Sequence, residues 1–523
     1  MIALPAVARS VHRLALLVSV VAVTIAACRS TVQSPASRPD HLLMMVFDQM
    51  RPDYIDRFGL EHFKRLRATS RHYPEAYVGH MGAQTIVSHL VIPTGLAPKN
   101  LPWQDDVFID AEGLVGKPDA VYETGLMTRA QFWPLLERIP RRQFLTARVK
   151  DALGGSVFVV GEKDYAATVL GGPHASTIVT LTKANGRCTP DGVNVPDYIA
   201  GNPRFSLECA ETYGTGFPTI YSLDGSHYVP GSDPSRLGGD VWTTDAAIEI
   251  MQRETWSGLF LTFGGIDKVA HMLGEHEGYG VGSVPSEYHL ADALHIADAQ
   301  LGRLLEAIET GGLADRTMVV VTADHGGQRH EVYLGNGRFQ SCCAFENSSS
   351  RVDPPYWVDH LNQVGELQTA YVDSSISLWL ADHSEANEQA ITRGLRDISG
   401  ITEIYAKRRT GEQYGYEQVY SDLDRQSPAF QMWARRHSSE LVATMAGPSA
   451  PDLVGLLADG FGFGRIGGHG GAQEKVQRIP MIIHVPGEAS EVRTTPLRLM
   501  DLAPEVSQIL GLPPAPEPTP PAP

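Results

Sequence analysis

Three short apolar runs along the chain each lead to an aspartate. Leu42-Leu43-Met44-Met45-Val46-Phe47 runs into Asp48, Leu259-Phe260-Leu261-Thr262-Phe263 leads through Gly264-Gly265-Ile266 to Asp267, and Met318-Val319-Val320-Val321-Thr322-Ala323 ends at Asp324. Continuous apolar runs of this length, bounded by turn residues, are the pattern of strands covered on both faces, as in parallel sheets. Gly155–Gly161, Ser374–Leu380 and Pro480–Val485 have the same character. Helical patterns alternate with them: Phe132–Arg138, residues 240–255, 286–310, 384–398 and Leu497–Leu512. Residues 286–310 repeat apolar positions at intervals of three and four, as an amphipathic helix does, and Gly311-Gly312 stops them. The alternation predicts an α/β fold with a doubly wound, mostly parallel central sheet and helices on both faces. Two stretches break the pattern and read as insertions: 181–235, rich in Gly, Pro, Asn and Tyr, and 335–365, with a Ser-rich run and Pro354-Pro355. Residues 514–523 are Pro-rich and predict a disordered tail.

The polar residues that close the strands carry the chemistry. In open α/β sheets ligands sit at the carboxyl ends of the strands. Three aspartates delivered there repel one another unless cations hold them together. Asp267 and His271 are spaced i, i+4; His325 follows Asp324 directly; His469 lies in the loop Gly467-Gly468-His469-Gly470-Gly471. Carboxylate and imidazole sets of this kind suit zinc and related divalent ions.

Composition narrows the setting. The 523 residues are 43% hydrophobic and carry a net charge of −17, ample for a large core and contrary to a general nucleic-acid binder. Arg9 and Arg13 precede an apolar run, Leu14 to Ile25, of signal-peptide length. It ends Ile25-Ala26-Ala27-Cys28, which resembles a bacterial lipoprotein signal; a plain secretory signal cut near Ala27 is the alternative. The expected organisation is a signal peptide at 1–27, a polar tether at 28–40 lipid-anchored through Cys28, and a catalytic domain at 41–513. Arg29 resembles sorting to the outer membrane, facing the periplasm. Export permits disulfides among Cys188, Cys209, Cys342 and Cys343, and the sequence does not choose among the three pairings.

The segment Thr85-Ile86-Val87-Ser88-His89-Leu90-Val91-Ile92-Pro93-Thr94-Gly95-Leu96-Ala97-Pro98 resembles the nucleophile segment of the alkaline phosphatase superfamily, in its type I phosphodiesterase/nucleotide pyrophosphatase branch. Gly265-Ile266-Asp267…His271, Ala323-Asp324-His325-Gly326-Gly327, His469 and the closing Arg498–Pro504 stretch resemble its other motifs, in the same order. The resemblance implies an alkaline phosphatase-like fold and a metal-dependent phosphoric ester hydrolase. Thr85 would form a covalent phosphothreonine, with two divalent ions, zinc foremost, as cofactors. One ion would be held by Asp267, His271 and His469, the other by Asp48, Asp324, His325 and Thr85. Coordination lowers the pKa of a hydroxyl that is otherwise un-ionised at neutral pH. Lys163 resembles a phosphate-binding lysine of a monoesterase branch, but Tyr165 stands where that branch has arginine, which favours a singly charged diester over a dianionic monoester. A monoesterase or phosphonate hydrolase, and a non-catalytic surface lipoprotein that keeps the fold, are the competing readings. The amide donor that the family often places after the nucleophile helix has no clear counterpart: Asn100 and Gln104 are candidates, and Asp106 would repel phosphate. His89 reads either as a brace of the nucleophile loop or as a packed or capping residue, His330 has no assigned role, and Asp298 reads as a surface or capping residue.

Overall fold

The aspartate strands are neighbours, and their register brings their ends level. In a computed structural model, β1 (His41–Phe47) lies between β7 (Trp256–Phe263) and β8 (Thr317–Thr322), parallel to both. Leu42–Val46 pairs with Gly258–Thr262 on one side and with Met318–Thr322 on the other. Asp48 and Asp324 therefore stand at matched positions, two residues past the pair Val46–Thr322. Every residue of β7 and β8 is buried, as is Leu42–Phe47, so the continuous apolar pattern follows from cover on both faces. At about 1.5–3 kcal/mol for each large apolar side chain buried, these strands anchor the core.

The structure describes residues 38–184, 187–208, 238–273, 280–281, 284–330, 332–335, 338–340, 356–463 and 467–517. The expected signal peptide, Cys28, most of the tether, Cys209, Cys342, Cys343 and much of both expected insertions lie outside them. Cys188 is disulfide-bonded. The described residues from Pro39 onward form one compact unit. No helix among the described residues is long and apolar enough to cross a membrane.

The central sheet has ten strands, in the order β15 (Glu491–Val492), β2 (Arg71–His72), β14 (Met481–His484), β8, β1, β7, β3 (Ser156–Gly161), β4 (Thr177–Ala184), β5 (Arg187–Val193), β6 (Leu207–Glu208). Its centre, β8 to β4, is parallel. Antiparallel strands flank it: β14 against β8 on one side, β5 and β6 beyond β4 on the other. Part of the stretch expected to be an irregular insertion from 181 is thus an ordered hairpin. Its Gly- and Pro-containing strand sits near the sheet edge, where ladder hydrogen bonds are fewer.

A second correction concerns the β and α pattern at 374–398. It does not extend the central sheet. Ser375–Leu380 (β10) joins a separate antiparallel sheet in the order β9 (Leu367–Val372), β10, β13 (Leu453–Leu457), β11 (Ile401–Thr410), β12 (Gln413–Ser421). That sheet has its own core, with Ile376, Leu378 and Leu380 packed against Leu361, Ile391 and Leu395. A buried strand reads alike in either sheet, so periodicity alone does not reveal which one it enters.

Candidate active site

The carboxyl ends of β1, β7 and β8 meet the helices that follow. α1 (Thr85–Thr94) is buried at every position: its apolar residues join the core, and its polar Thr85, Ser88, His89 and Thr94 have hydrogen-bond partners; Gly95 in the left-handed conformation (φ 67°) ends it. α4 (Gly265–Leu273), which follows α2 (Asp164–Gly171) and α3 (Gly238–Arg253), carries Asp267 in its first turn and His271 one turn on. His469 arrives on the glycine loop, whose Gly467-Gly468 pairs with Gln328-Arg329.

All seven expected metal ligands converge. His271 Nδ1 donates to Gly467 O at 2.7 Å, which leaves the Nε2 lone pair facing Asp267 Oδ1 at 3.0 Å and His469 Nε2 at 3.1 Å. His469 Nε2 is 3.6 Å from Asp267 Oδ1. On the other side, His325 Nδ1 donates to Gly326 O at 2.8 Å, and Nε2 faces Asp48 Oδ1 and Asp324 Oδ2, each at 3.4 Å, and Thr85 Oγ1 at 3.2 Å. The two sets touch, for the His325 and His469 rings stack with centroids 3.8 Å apart, and Asp267, His325 and His469 also fall within ligand range of one another. Asp48 Oδ1 and Asp267 Oδ1 are buried and make no hydrogen bond among the described residues, and Asp324 Oδ2 faces His89 Nδ1 at 3.3 Å. Carboxylate oxygens and imidazole nitrogens turned toward one another in two compact buried sets are the donors that divalent ions take, so the residues fit such ions.

Lys163 is buried between the two sets. Its Nζ donates to Asp48 Oδ2 at 2.5 Å and to Asp267 Oδ2 at 2.6 Å. One ammonium thus serves one carboxylate of each set. Burial would lower the lysine pKa, but Asp267 and Asp48 outweigh it and hold it well above the usual value. Burial and the neighbouring charges of Asp267 and Asp324 push Asp48 well above the carboxylate range, with Lys163 opposing. Burial acts upward on Asp267 too, but His271 and Lys163 outweigh it and hold it low. At Asp324 burial is outweighed by His325 and His89, which bring its pKa to about 2. These directions share one cause: carboxylates here are ionised only as far as cationic charge faces them.

The family model described as type I phosphodiesterase/nucleotide pyrophosphatase matches residues 42–115 and 236–463, more than half of the chain. The chain belongs to this family. It is accordingly a phosphoric ester hydrolase, and its fold is that of the alkaline phosphatase superfamily. Wild-type alkaline phosphatase PafA superposes with a TM-score of 0.60 at 15% identity over 92% of this chain and 97% of that one. Human ectonucleotide pyrophosphatase/phosphodiesterase 5 gives 0.51 at 13%, covering 91% and 96%. An inactive murine form in complex with AMP gives 0.52 at 12%, with the same coverage. No curated protein matches the sequence.

Several residues that support the hydrolase site were left open or unassigned by sequence. His89, one helical turn after Thr85, has Nδ1 2.7 Å from Thr85 O and 3.3 Å from Asp324 Oδ2, and Nε2 2.8 Å from Thr262 Oγ1; its i, i+4 spacing from the threonine was the available clue. His330 Nε2 lies 3.0 Å from Ser374 Oγ, and the ring fills the space beside Gly462 and Gly468, which braces the loop of His469. Glu162 and Lys268, sequence neighbours of Lys163 and Asp267, form a buried ion pair at 2.6 Å. One candidate for an amide donor after the nucleophile helix, and the acids beside it, are engaged elsewhere. Gln104 Nε2 donates to Leu101 O, Asp105 accepts from Ser377 Oγ at 2.7 Å, and Asp106 accepts from Thr124 Oγ1 and Tyr371 OH. This loop joins the two sheets. Asp298 caps the helix Glu61–Ala68 by accepting from the N–H groups of His62 and Phe63.

Proposed function

We propose that the enzyme is a two-metal phosphodiesterase, with nucleotide-type esters in range, that works through a covalent phosphothreonine at Thr85. The observation that carries this reading is the pair of donor sets around Thr85: Asp267, His271 and His469 on one side, Asp48, Asp324 and His325 on the other. Two divalent ions, zinc by the preference of such donors, would supply charge neutralisation and a lowered hydroxyl pKa. The chain's own residues do the rest. Thr85 Oγ1 attacks phosphorus as the ester oxygen leaves, and water then cleaves the phosphothreonine to restore the hydroxyl. Tautomers are set by Gly467 O and Gly326 O, which turn the Nε2 atoms of His271 and His325 inward. His89 holds the first carbonyl of α1 and so the aim of Thr85. Cationic charge on Asp48 and Asp267 would release Lys163 to face the substrate, and with Tyr165 in place of a second cation the site suits one negative charge better than two.

We also propose that the body is exported and tethered by a lipid on Cys28 to the outer membrane, facing the periplasm, on the strength of the apolar run and Ile25-Ala26-Ala27-Cys28.

The test of the catalytic reading compares kcat/KM for bis(p-nitrophenyl) phosphate and p-nitrophenyl phosphate in the zinc-loaded protein and in Thr85→Ala. A diester preference that Thr85→Ala abolishes supports it. A monoester preference overturns the diesterase assignment, and full activity in Thr85→Ala removes the threonine from the mechanism.

A further inference from the structure

Gln84 directly precedes Thr85 and is the N-cap residue of α1, with extended backbone (φ −117°, ψ 152°). Residues at this position ordinarily accept a hydrogen bond from the first turn through a short side chain. Gln84 makes no such bond. Its side chain is nevertheless buried, at 1% exposure, and neither Nε2 nor Oε1 has a hydrogen-bond partner among the described residues. An unpaired amide away from water is costly, and in a folded protein it asks for a reason.

The surroundings supply one. Gly470, next to His469, leaves room for this amide: a β-carbon there would lie 1.8 Å from Gln84 Nε2. The main chain closes the same seam, for Gly470 N donates to Ala83 O at 3.0 Å. The amide thus sits where the turn before Thr85 meets the loop of His469. The first turn of α1 is there too, with no side chain capping it. An unpaired amide and an uncapped helix start thus adjoin the residue whose hydroxyl lies 3.2 Å from His325 Nε2. A group rich in acceptors and bearing negative charge satisfies both, and a phosphoryl group is such a group.

We propose that Gln84 binds a non-bridging oxygen of the phosphate ester at Thr85. With its nitrogen turned to the phosphate, the amide offers an N–H donor and no charge. It would supply an amide donor that Gln104, bonded to Leu101 O, does not, and a neutral donor matches a phosphodiester better than a dianion. The inference rests on the reading of Thr85 as the nucleophile and adds to it the residue that grips the substrate's phosphorus.

The test uses the full chain loaded with Zn²⁺ and two variants. Gln84→Leu keeps the bulk and removes the donor; Gln84→Glu keeps the shape and replaces the donor with a repelling carboxylate. Inorganic phosphate binding is measured by calorimetry, kcat/KM with bis(p-nitrophenyl) phosphate, and the Rp/Sp rate ratio with a chiral phosphorothioate diester. Removal of one such donor is expected to lower kcat/KM by about 10²-fold. Phosphate affinity should fall by about 10-fold, by more in Gln84→Glu, and the Rp/Sp ratio should change while metal content stays the same. A purely structural role would leave that ratio unmoved. Phosphate affinity and kcat/KM within twofold of the unsubstituted protein in both variants overturn the proposal and leave the amide to a buried water. Loss of zinc or of folding in both variants also overturns it. Absence of diester turnover in the unsubstituted protein would sink the catalytic reading instead, while phosphate binding would still judge Gln84.

Discussion

Lys163→Met separates two effects that usually travel together. The ammonium lies 2.5 Å from Asp48 Oδ2 and 2.6 Å from Asp267 Oδ2, and all three side chains are 5% exposed or less. Removing one partner of a buried pair leaves charge uncompensated and costs about 3–5 kcal/mol. A point-charge view agrees, for unit charges 4 Å apart interact by about 4 kcal/mol at an effective dielectric of 20. The metal-free protein should therefore lose about that much stability. The metal-loaded protein should not, because the same two carboxylates would then face cations, with no ammonium competing for them. Energy missing from the metal-free state returns on binding, so zinc affinity should rise, by up to about 10³-fold if the whole 4 kcal/mol is recovered. Catalysis should move the other way, with kcat/KM down by about 10²–10³-fold once the cation facing the phosphoryl group is gone. Guanidinium unfolding in chelator and in excess zinc, zinc competition calorimetry and diester kinetics read the three quantities. Equal unfolding midpoints in chelator, or weaker zinc binding by the variant, would refute the bridging role of Lys163.

Other perturbations test other links. Asp267→Asn removes the carboxylate shared by His271, His469 and Lys163, and thermal scans should lose the share of zinc stabilisation that this one site gives, about 2.7 kcal/mol at one hundred times its Kd, while the share of the other set remains. Asp105, buried at the joint between the sheets, has its pKa pushed up to about 7 by burial. Since its folded value exceeds its unfolded one, the folded state holds the proton longer, and stability falls as pH rises from about 4 to about 7. Asp105→Asn should flatten that slope and gain at most about 4 kcal/mol at pH 8; an unchanged slope in denaturant titrations would place the carboxylate in water. Cys28→Ser should abolish incorporation of labelled fatty acid and release the protein from the membrane fraction, and retained label would remove Cys28 as the anchor.

The sequence alone determined the aspartate-tipped strands and the order of the motifs, because these depend on local pattern. A strand buried on both faces must be apolar throughout, and a residue that leaves it for a ligand must be polar, so Asp48, Asp267 and Asp324 stood out before any fold was known. The same logic found His325, His271 and His469 through adjacency, helical spacing and a glycine loop. What the tertiary structure decided is whatever depends on which strand lies beside which. The level ends of β1 and β8 follow from register, and so does the meeting of three acids far apart in sequence. The second sheet took Ser375–Leu380 away from the first because burial, not sheet membership, writes the apolar pattern. Lys163 was visible as a cation for phosphate, but its grip on one carboxylate from each set needed the end of β3 brought next to β7. Gln84 carried no mark in the sequence, since an amide becomes informative only when burial strips it of water and packing gives it no partner.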